Sequence, residues 1–449
     1  MSHEGVGVGS LLISNGTVVT LGEGSRVWHG HDVACGGGLI TAIAPHGRLI
    51  GPHDRVIDAG GKVVMPGFIN AHMHLYSTLV RGLGKARPSA DFREVLENLW
   101  WRLDRKLDLE DCYVSALVML IEAVKHGTTT LLDHHASPSA VSGSLDAIAR
   151  AVRQVGVRAS LCYELSDRDG PEVARAGIEE NIAFIRRCQT GGDDHLTAMF
   201  GLHASFTLSD ATLERAAGTG HELGAGFHVH VAEAASDQEH CQREFGLRVV
   251  ERLGNLGILG PQSIAAHCVH VSGREMELLA ETSTAVAHNP QSNMNNAVGV
   301  ADVLGMLRKG VLVGLGTDAM TVNMLEEVRA ALFVRHLSEK NPSVGFAEML
   351  STLLVGNARI ANRQFPVRLG ELREGCAADL VLIDYEPPTP LDEGTFLGHL
   401  AFGLSQATVD STIVGGRVLM AGKRLELDLD EAEIAAKARE RARALWERF

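Results

Sequence analysis

Eight short apolar runs are spread through the middle of this chain, and they constrain its fold more than any other feature. They lie at 67–74 (GFINAHMH), 127–135 (GTTTLLDHH), 158–165 (RASLCYEL), 196–205 (LTAMFGLHAS), 224–233 (GAGFHVHVAE), 263–270 (SIAAHCVH), 284–293 (TAVAHNPQSN) and 311–318 (VLVGLGTD). Helix-like segments such as DCYVSALVMLIEAVKHG, SLDAIARAVRQVG and GIEENIAFIRRCQ fall between them. Runs that are continuously apolar, rather than alternating, suit parallel strands covered by helices on their faces. Eight strands alternating with helices make an α/β chain of the (β/α)8, or TIM, barrel type.

Both ends of the chain have a different texture. Residues up to about Met65 are rich in β-branched residues and glycine, and LLISNGTVVTL places Asn-Gly between apolar runs, a hairpin signal. The same texture returns in CAADLVLIDYEPPTP and VDSTIVGGRVLMAGKRLEL. The expected organisation is therefore a small β-sandwich domain built from residues 1–65 and 369–427, a barrel over 66–368, and a charged surface helix over 428–449.

Composition excludes several classes. The net charge of −14, with no basic run, lacks the electrostatic footprint of a nucleic-acid binder. No stretch approaches the roughly 20 apolar residues of a membrane span. The start has an acid where a signal peptide carries basic residues, so no leader is expected. Seven scattered cysteines, with no C-x-x-C, fit reduced thiols in a cytoplasmic protein.

A barrel of this kind places its chemistry at the C-terminal ends of its strands, and there the unusual residues collect. His72 and His74 end the first run and, two residues apart, project to one side. The fourth run carries His203, the fifth has His228 and His230 with Glu233 three residues beyond, the sixth carries His267, and Asp318 ends the eighth. Three imidazoles and a carboxylate, His72, His74, His230 and Asp318, could surround one divalent ion and leave a position open for water. His228 lies deeper on its strand and reads better as support than as a ligand. Glu233 could carry the proton that an activated water loses, and His267 could orient that water. The chain has no P-C-x-x-C of the H-x-E zinc deaminases and no G-x-S-x-G elbow of a serine hydrolase.

PGFINAHMH, HVHVAE, AAHCVH, HNPQSN and GTDA, in this order, resemble the amidohydrolase superfamily, in its deaminase and chlorohydrolase branch. NLWWRLDRKLD, DHHASPSAVSGSL, HNPQSNMNNAVG and GHLAFG resemble the SsnA-type aminohydrolases more narrowly. The resemblance implies one metal on His72, His74, His230 and Asp318, proton transfer by Glu233 and His267, and Asp318 doubling as base. It makes His203 the substrate-orienting histidine, although Ser205 stands where the family usually has proline. No lysine lies on the fourth run, so a mononuclear site is implied. Zinc, iron or manganese would suit such ligands.

The function these readings imply is hydrolytic deamination of an aminated, purine-like N-heterocycle, with release of ammonia. His203 and Asn293 are candidates for holding the ring, but Asn293 could equally close a strand–helix turn. Trp100, Trp101 and Arg102 are candidates for a lid, although tryptophans on a helix often serve packing alone. Hydrolysis with another leaving group (chloride, an alkylamine or a ring amide) and a non-catalytic metal-binding or scaffold protein are the rivals. The expected partner is a small heterocycle, with no nucleic acid or membrane, and the resembled family implies a homodimer or larger homo-oligomer.

Overall fold

The computed structural model describes residues 9–22 and 24–449, so residues 1–8 of the segment behind the leader expectation lie outside the described residues. In chain order the strands are β1 (Leu11–Val19), β2 (Val27–Gly36), β3 (Leu39–Pro45), β4 (Arg55–Asp58), β5 (Lys62–Pro66) and β6 (Phe68–Met73). They continue with β7 (Thr128–Asp133), β8 (Arg158–Leu161), β9 (Leu196–Ala198), β10 (Phe200–Ala204), β11 (Phe227–Val231) and β12 (Ile264–His267). The last are β13 (Ala285–His288), β14 (Val313–Leu315), β15 (Leu380–Asp384), β16 (Thr408–Val414), β17 (Arg417–Ala421) and β18 (Arg424–Leu425).

Strands β6 to β9 form one parallel sheet in chain order, and β10 to β14 form a second. The two sheets meet at both margins through parallel bridges, Met73 with Asp318 and Leu165 with Leu202. Helices separate successive strands: Leu109–Lys125 follows β6, Ser144–Val155 follows β7, Pro171–Gly191 follows β8 and Met324–Glu339 follows β14. Residues of β7, β8, β12 and β13 are all buried, which is why these runs are apolar without alternation. Several helices start at sequence-encoded caps. Asp108 and Asp111 form a reciprocal capping box, as do Ser272 and Glu275.

The fourth apolar run departs from the expected single strand. Met199 N–H bonds Leu161 O at 3.2 Å, whereas Phe200 N–H bonds Gly226 O at 2.8 Å, so the ladder changes partner between neighbouring residues. The run is therefore split into β9 and β10.

Strands from both chain ends share one nine-stranded sheet, in the order β18-β17-β16-β15-β5-β1-β2-β3 with β4 beside β1. The junction is the antiparallel pair β5–β15, in which Met65 faces Val381 and Val64 faces Leu382. Ile13, Val33, Val64, Leu380 and Ile413 form a core for this sheet, distinct from the main one. The Asn-Gly expected to turn a hairpin does not do so. Asn15 takes a left-handed conformation (φ 63°) inside the continuous strand β1, and its N–H is held by Asp32 Oδ1 at 2.8 Å. The register against β2 shifts at Gly16, so the pair makes a bulge. The hairpin lies between β2 and β3, where Gly37 and Gly38 both have positive φ.

The two regions are tied by a buried ion pair. Arg158, at the start of β8, donates to both oxygens of Asp379, just before β15, at 2.8 and 3.3 Å. Asp379→Ala would leave the buried guanidinium with only Asp194, which takes Nη1 alone, at 3.0 and 3.3 Å. We expect a loss of about 3–5 kcal/mol in urea denaturation, and a loss below about 1 kcal/mol would contradict this account.

The C-terminal helix Glu431–Arg448 is mostly exposed and is anchored on Leu109–Lys125 and on the short helix Leu75–Val80. Arg441 Nε donates to Asp111 Oδ1 at 2.8 Å, and Trp446 Nε1 donates to Leu79 O at 2.8 Å. Among the described residues no helix is long and apolar enough to cross a membrane.

Candidate active site

Residues at or just past the C-terminal ends of β6, β10, β11 and β14 line one cavity, and His267 at the end of β12 lies behind them beside Glu233. His72 lies in β6, and His74 follows it in extended backbone (φ −126°, ψ 99°), so the two rings project to the same side. His230 projects from β11, two residues above His228. Asp318 follows β14 in a left-handed conformation (φ 52°), and Ala232, His267 and Cys268 share that sign of φ at the neighbouring strand ends. Left-handed non-glycine residues are strained, and they gather here where the strands deliver their side chains.

Each of the three histidines has its Nδ1 occupied. His72 Nδ1 meets His228 Nε2 at 2.9 Å, His74 Nδ1 meets His134 O, and His230 Nδ1 meets His203 O at 2.9 Å. With Nδ1 engaged, each ring turns Nε2 toward the common centre, the way outer partners orient metal-binding imidazoles. His74 Nε2 is 3.3 Å from His230 Nε2 and 3.0 Å from Asp318 Oδ1, and His72 Nε2 is 4.0 Å from the same oxygen. Ligand atoms on a tetrahedral ion with bonds of about 2.0–2.1 Å stand roughly 3.3 Å apart. The buried His72 Nε2 has no hydrogen-bond partner. Donor types, spacing and this orphaned nitrogen all fit a divalent cation.

The electrostatics agree. Burial works against both members of the His74–Asp318 pair, yet their mutual hydrogen bond holds Asp318 below the usual carboxylate range and pushes His74 up to about 9. The Asp318 carboxylate therefore favours positive charge beside it. His72, driven down by burial and then by His228 and the other imidazoles, stays neutral, the form that can ligate.

Glu233 and His267 stand beside this centre. Glu233 Oε2 lies 3.4 Å from His267 Nε2, which is 3.8 Å from Asp318 Oδ2. Burial, and after it the Asp318 and Asp237 carboxylates, raise the Glu233 carboxyl well above its ordinary range. Burial lowers His267, whose Nδ1 is held by Asn293 Oδ1 at 2.9 Å.

One cavity opens over these groups. His74, His230, Asp318 and Glu233 reach its floor, and His203 and Glu164 form a polar wall. Phe92, Leu96, Trp100, Trp101 and Phe206 close an apolar side. Among the described residues no lysine or arginine lines it. His203 Nδ1 bonds Thr207 Oγ1 at 2.6 Å, its Nε2 is 3.6 Å from Glu164 Oε1, and burial lowers it to about 4.

Two candidates lie elsewhere. Arg102 does not face the cavity: its Nη2 donates to Phe449 O at 2.7 Å and its guanidinium lies 4.0 Å over the Phe449 ring. The C-terminal helix brings that partner within reach, a contact that local spacing does not reveal. Asn293 is buried and spends its side-chain oxygen on His267, so it does not line the cavity. Four residues went unnoticed in the sequence. Glu164 and His134 stand 3.2 Å apart beside the centre, and Asp104 and Asn296 line the cavity. A carboxylate inside the apolar run RASLCYEL was the available signal for Glu164.

The amidohydrolase family model matches residues 63–419, and this chain belongs to the amidohydrolase family. It is 33% identical over 448 residues to a 5-methylthioadenosine/S-adenosylhomocysteine deaminase of Pelotomaculum thermopropionicum, covering 98% of this chain and 99% of the relative. It is also 33% identical to a 5'-deoxyadenosine deaminase of Methanobrevibacter smithii, over 88% of this chain and 89% of that one. Among solved structures it is similar to an adenosine deaminase from Xanthomonas campestris with bound zinc. That likeness has a TM-score of 0.84 and 26% identity, over 97% of this chain and 98% of that one.

Proposed function

We propose that this chain is a metal-dependent hydrolytic deaminase of an aminated, purine-like heterocycle, built on a closed (β/α)8 barrel over 66–368. A small β-sandwich of residues 1–65 and 369–427 and a C-terminal helix over 428–449 complete the organisation. One observation carries the reading: His74 Nε2 lies 3.3 Å from His230 Nε2 and 3.0 Å from Asp318 Oδ1, His72 clusters with His74 and Asp318, and the buried Glu233–His267 pair adjoins Asp318. The names of the relatives, deaminases of adenosine derivatives, support the substrate class.

One divalent ion, zinc before iron or manganese, would be held by those four residues and would supply Lewis acidity that lowers the pKa of water. Asp318 accepts a proton as water attacks the amino-bearing ring carbon. Glu233, kept protonated by burial, gives its proton to the adjacent ring nitrogen. The proton taken up by Asp318 passes to the amino group, which leaves as ammonia, while the hydroxyl on the tetrahedral carbon returns its proton to Glu233 and becomes the ring carbonyl. His267, steered by Asn293, orients the attacking water, and His203, whose ring centroid lies 6.2 Å from that of Trp101, borders the heterocycle. A lining with no lysine or arginine among the described residues favours nucleosides and bases over nucleotides. Seven free thiols, six of them buried, agree with a cytoplasmic setting.

The test is ammonia release by zinc-loaded protein from adenosine, 5'-deoxyadenosine, 5-methylthioadenosine, S-adenosylhomocysteine, guanine, pterins, aminopyrimidines and aminotriazines. Release from the aminopurines, lost on chelation and restored by zinc, is expected. Silence across the panel with metal bound would overturn deamination and favour another leaving group.

A further inference from the structure

One short helical turn touches all three groups given proton-handling roles above. Asn296, which closes the helix Pro290–Asn295, directs Nδ2 to Glu233 Oε1 and to Ser292 Oγ, each at 3.3 Å. Ser292 in turn donates its hydroxyl to Asp318 Oδ2. Positions 292 and 296 are four apart and share a helix face, while Asn293 on the same turn holds His267. The side-chain oxygen of Asn296 accepts from Asn295 Nδ2 at 3.1 Å, in keeping with an amide nitrogen that faces Glu233.

We infer that Asn296 is a positioning residue that reserves Oε1 of Glu233 as an acceptor, so that the proton Glu233 delivers is carried on Oε2. An amide N–H has no lone pair to receive a carboxyl proton, and it disfavours a hydroxyl on the oxygen it points at. The proton is thereby assigned to Oε2, the oxygen 3.4 Å from His267 Nε2. The same turn sorts the oxygens of Asp318: Ser292 takes Oδ2, while Oδ1 faces His74 Nε2 at 3.0 Å. The inference deepens the function proposed above and rests on it.

The test compares Asn296→Ala with Asn296→Asp in zinc-loaded protein. Asn296→Ala is expected to lower kcat at least about tenfold, with KM within about twofold and zinc content unchanged. Asn296→Asp, nearly identical in size, is expected to be worse than alanine because it replaces the donor by an acceptor. A residue needed only for packing would give the opposite order. A second readout does not depend on turnover. The infrared C=O band of protonated Glu233, identified by its loss in Glu233→Gln, should move to higher frequency in Asn296→Ala, since its carbonyl no longer accepts a hydrogen bond. Native kcat in Asn296→Asp, a milder effect than alanine, or an unmoved band would overturn the inference. If the native protein releases no ammonia from any heterocycle, deamination fails as a reading, and the infrared band alone decides the role of Asn296.

Discussion

Asp318→Ala is expected to abolish ammonia release and to lower bound metal at the same time. Asp318 is the only carboxylate among the four proposed ligands, and its Oδ1 faces His74 at 3.0 Å and His72 at 4.0 Å. Removing it takes away the negative charge that makes the centre attractive to a cation, and it also removes the base proposed for the attacking water. Loss of Lewis-acid activation alone amounts to several kcal/mol, so turnover should fall by more than about 10³-fold. Metal content by plasma emission and ammonia release should drop in parallel. Asp318→Ala with full metal occupancy and native kcat would refute this site. His230→Ala should behave alike, because its Nε2 lies 3.3 Å from that of His74.

Glu233→Gln separates proton transfer from metal binding. The substitution keeps the shape of the side chain and leaves an oxygen to accept from Asn296, but it cannot deliver a proton. Turnover should fall by about 10²–10⁴-fold, the usual worth of a general acid, while metal content stays native. The contrast with Asp318→Ala is the diagnostic. An active Glu233→Gln enzyme would remove Glu233 from the mechanism, and one that also loses metal would place it among the ligands.

Some of this site can be read directly from local sequence. His72 and His74 share a side because side chains alternate along a strand, and the same period sets His230 above His228. Asp318 was visible as the polar end of an apolar run. Such inferences hold because strand geometry is fixed within a few residues. They fail where a side chain's partner comes from far along the chain. Arg102 sits among candidate lid residues, yet its partner is Phe449, and Asn293 looks like a ring contact until His267 arrives beside it. The Asn15-Gly16 pair carries a hairpin signal that Asp32 and the β2 register convert into a bulge.

By itself the sequence determined the α/β alternation, the β-rich ends and the residues able to ligate a metal, since periodicity and side-chain chemistry are local properties. Only the tertiary structure decided which groups face one another. It joined β5 to β15 across more than 300 residues, set Glu164 beside His203, and brought Asn296 to Glu233, 63 positions away. The physical reason is that a hydrogen bond needs its partners within about 3 Å and aligned, and only the packing of whole elements sets distances that small between remote residues.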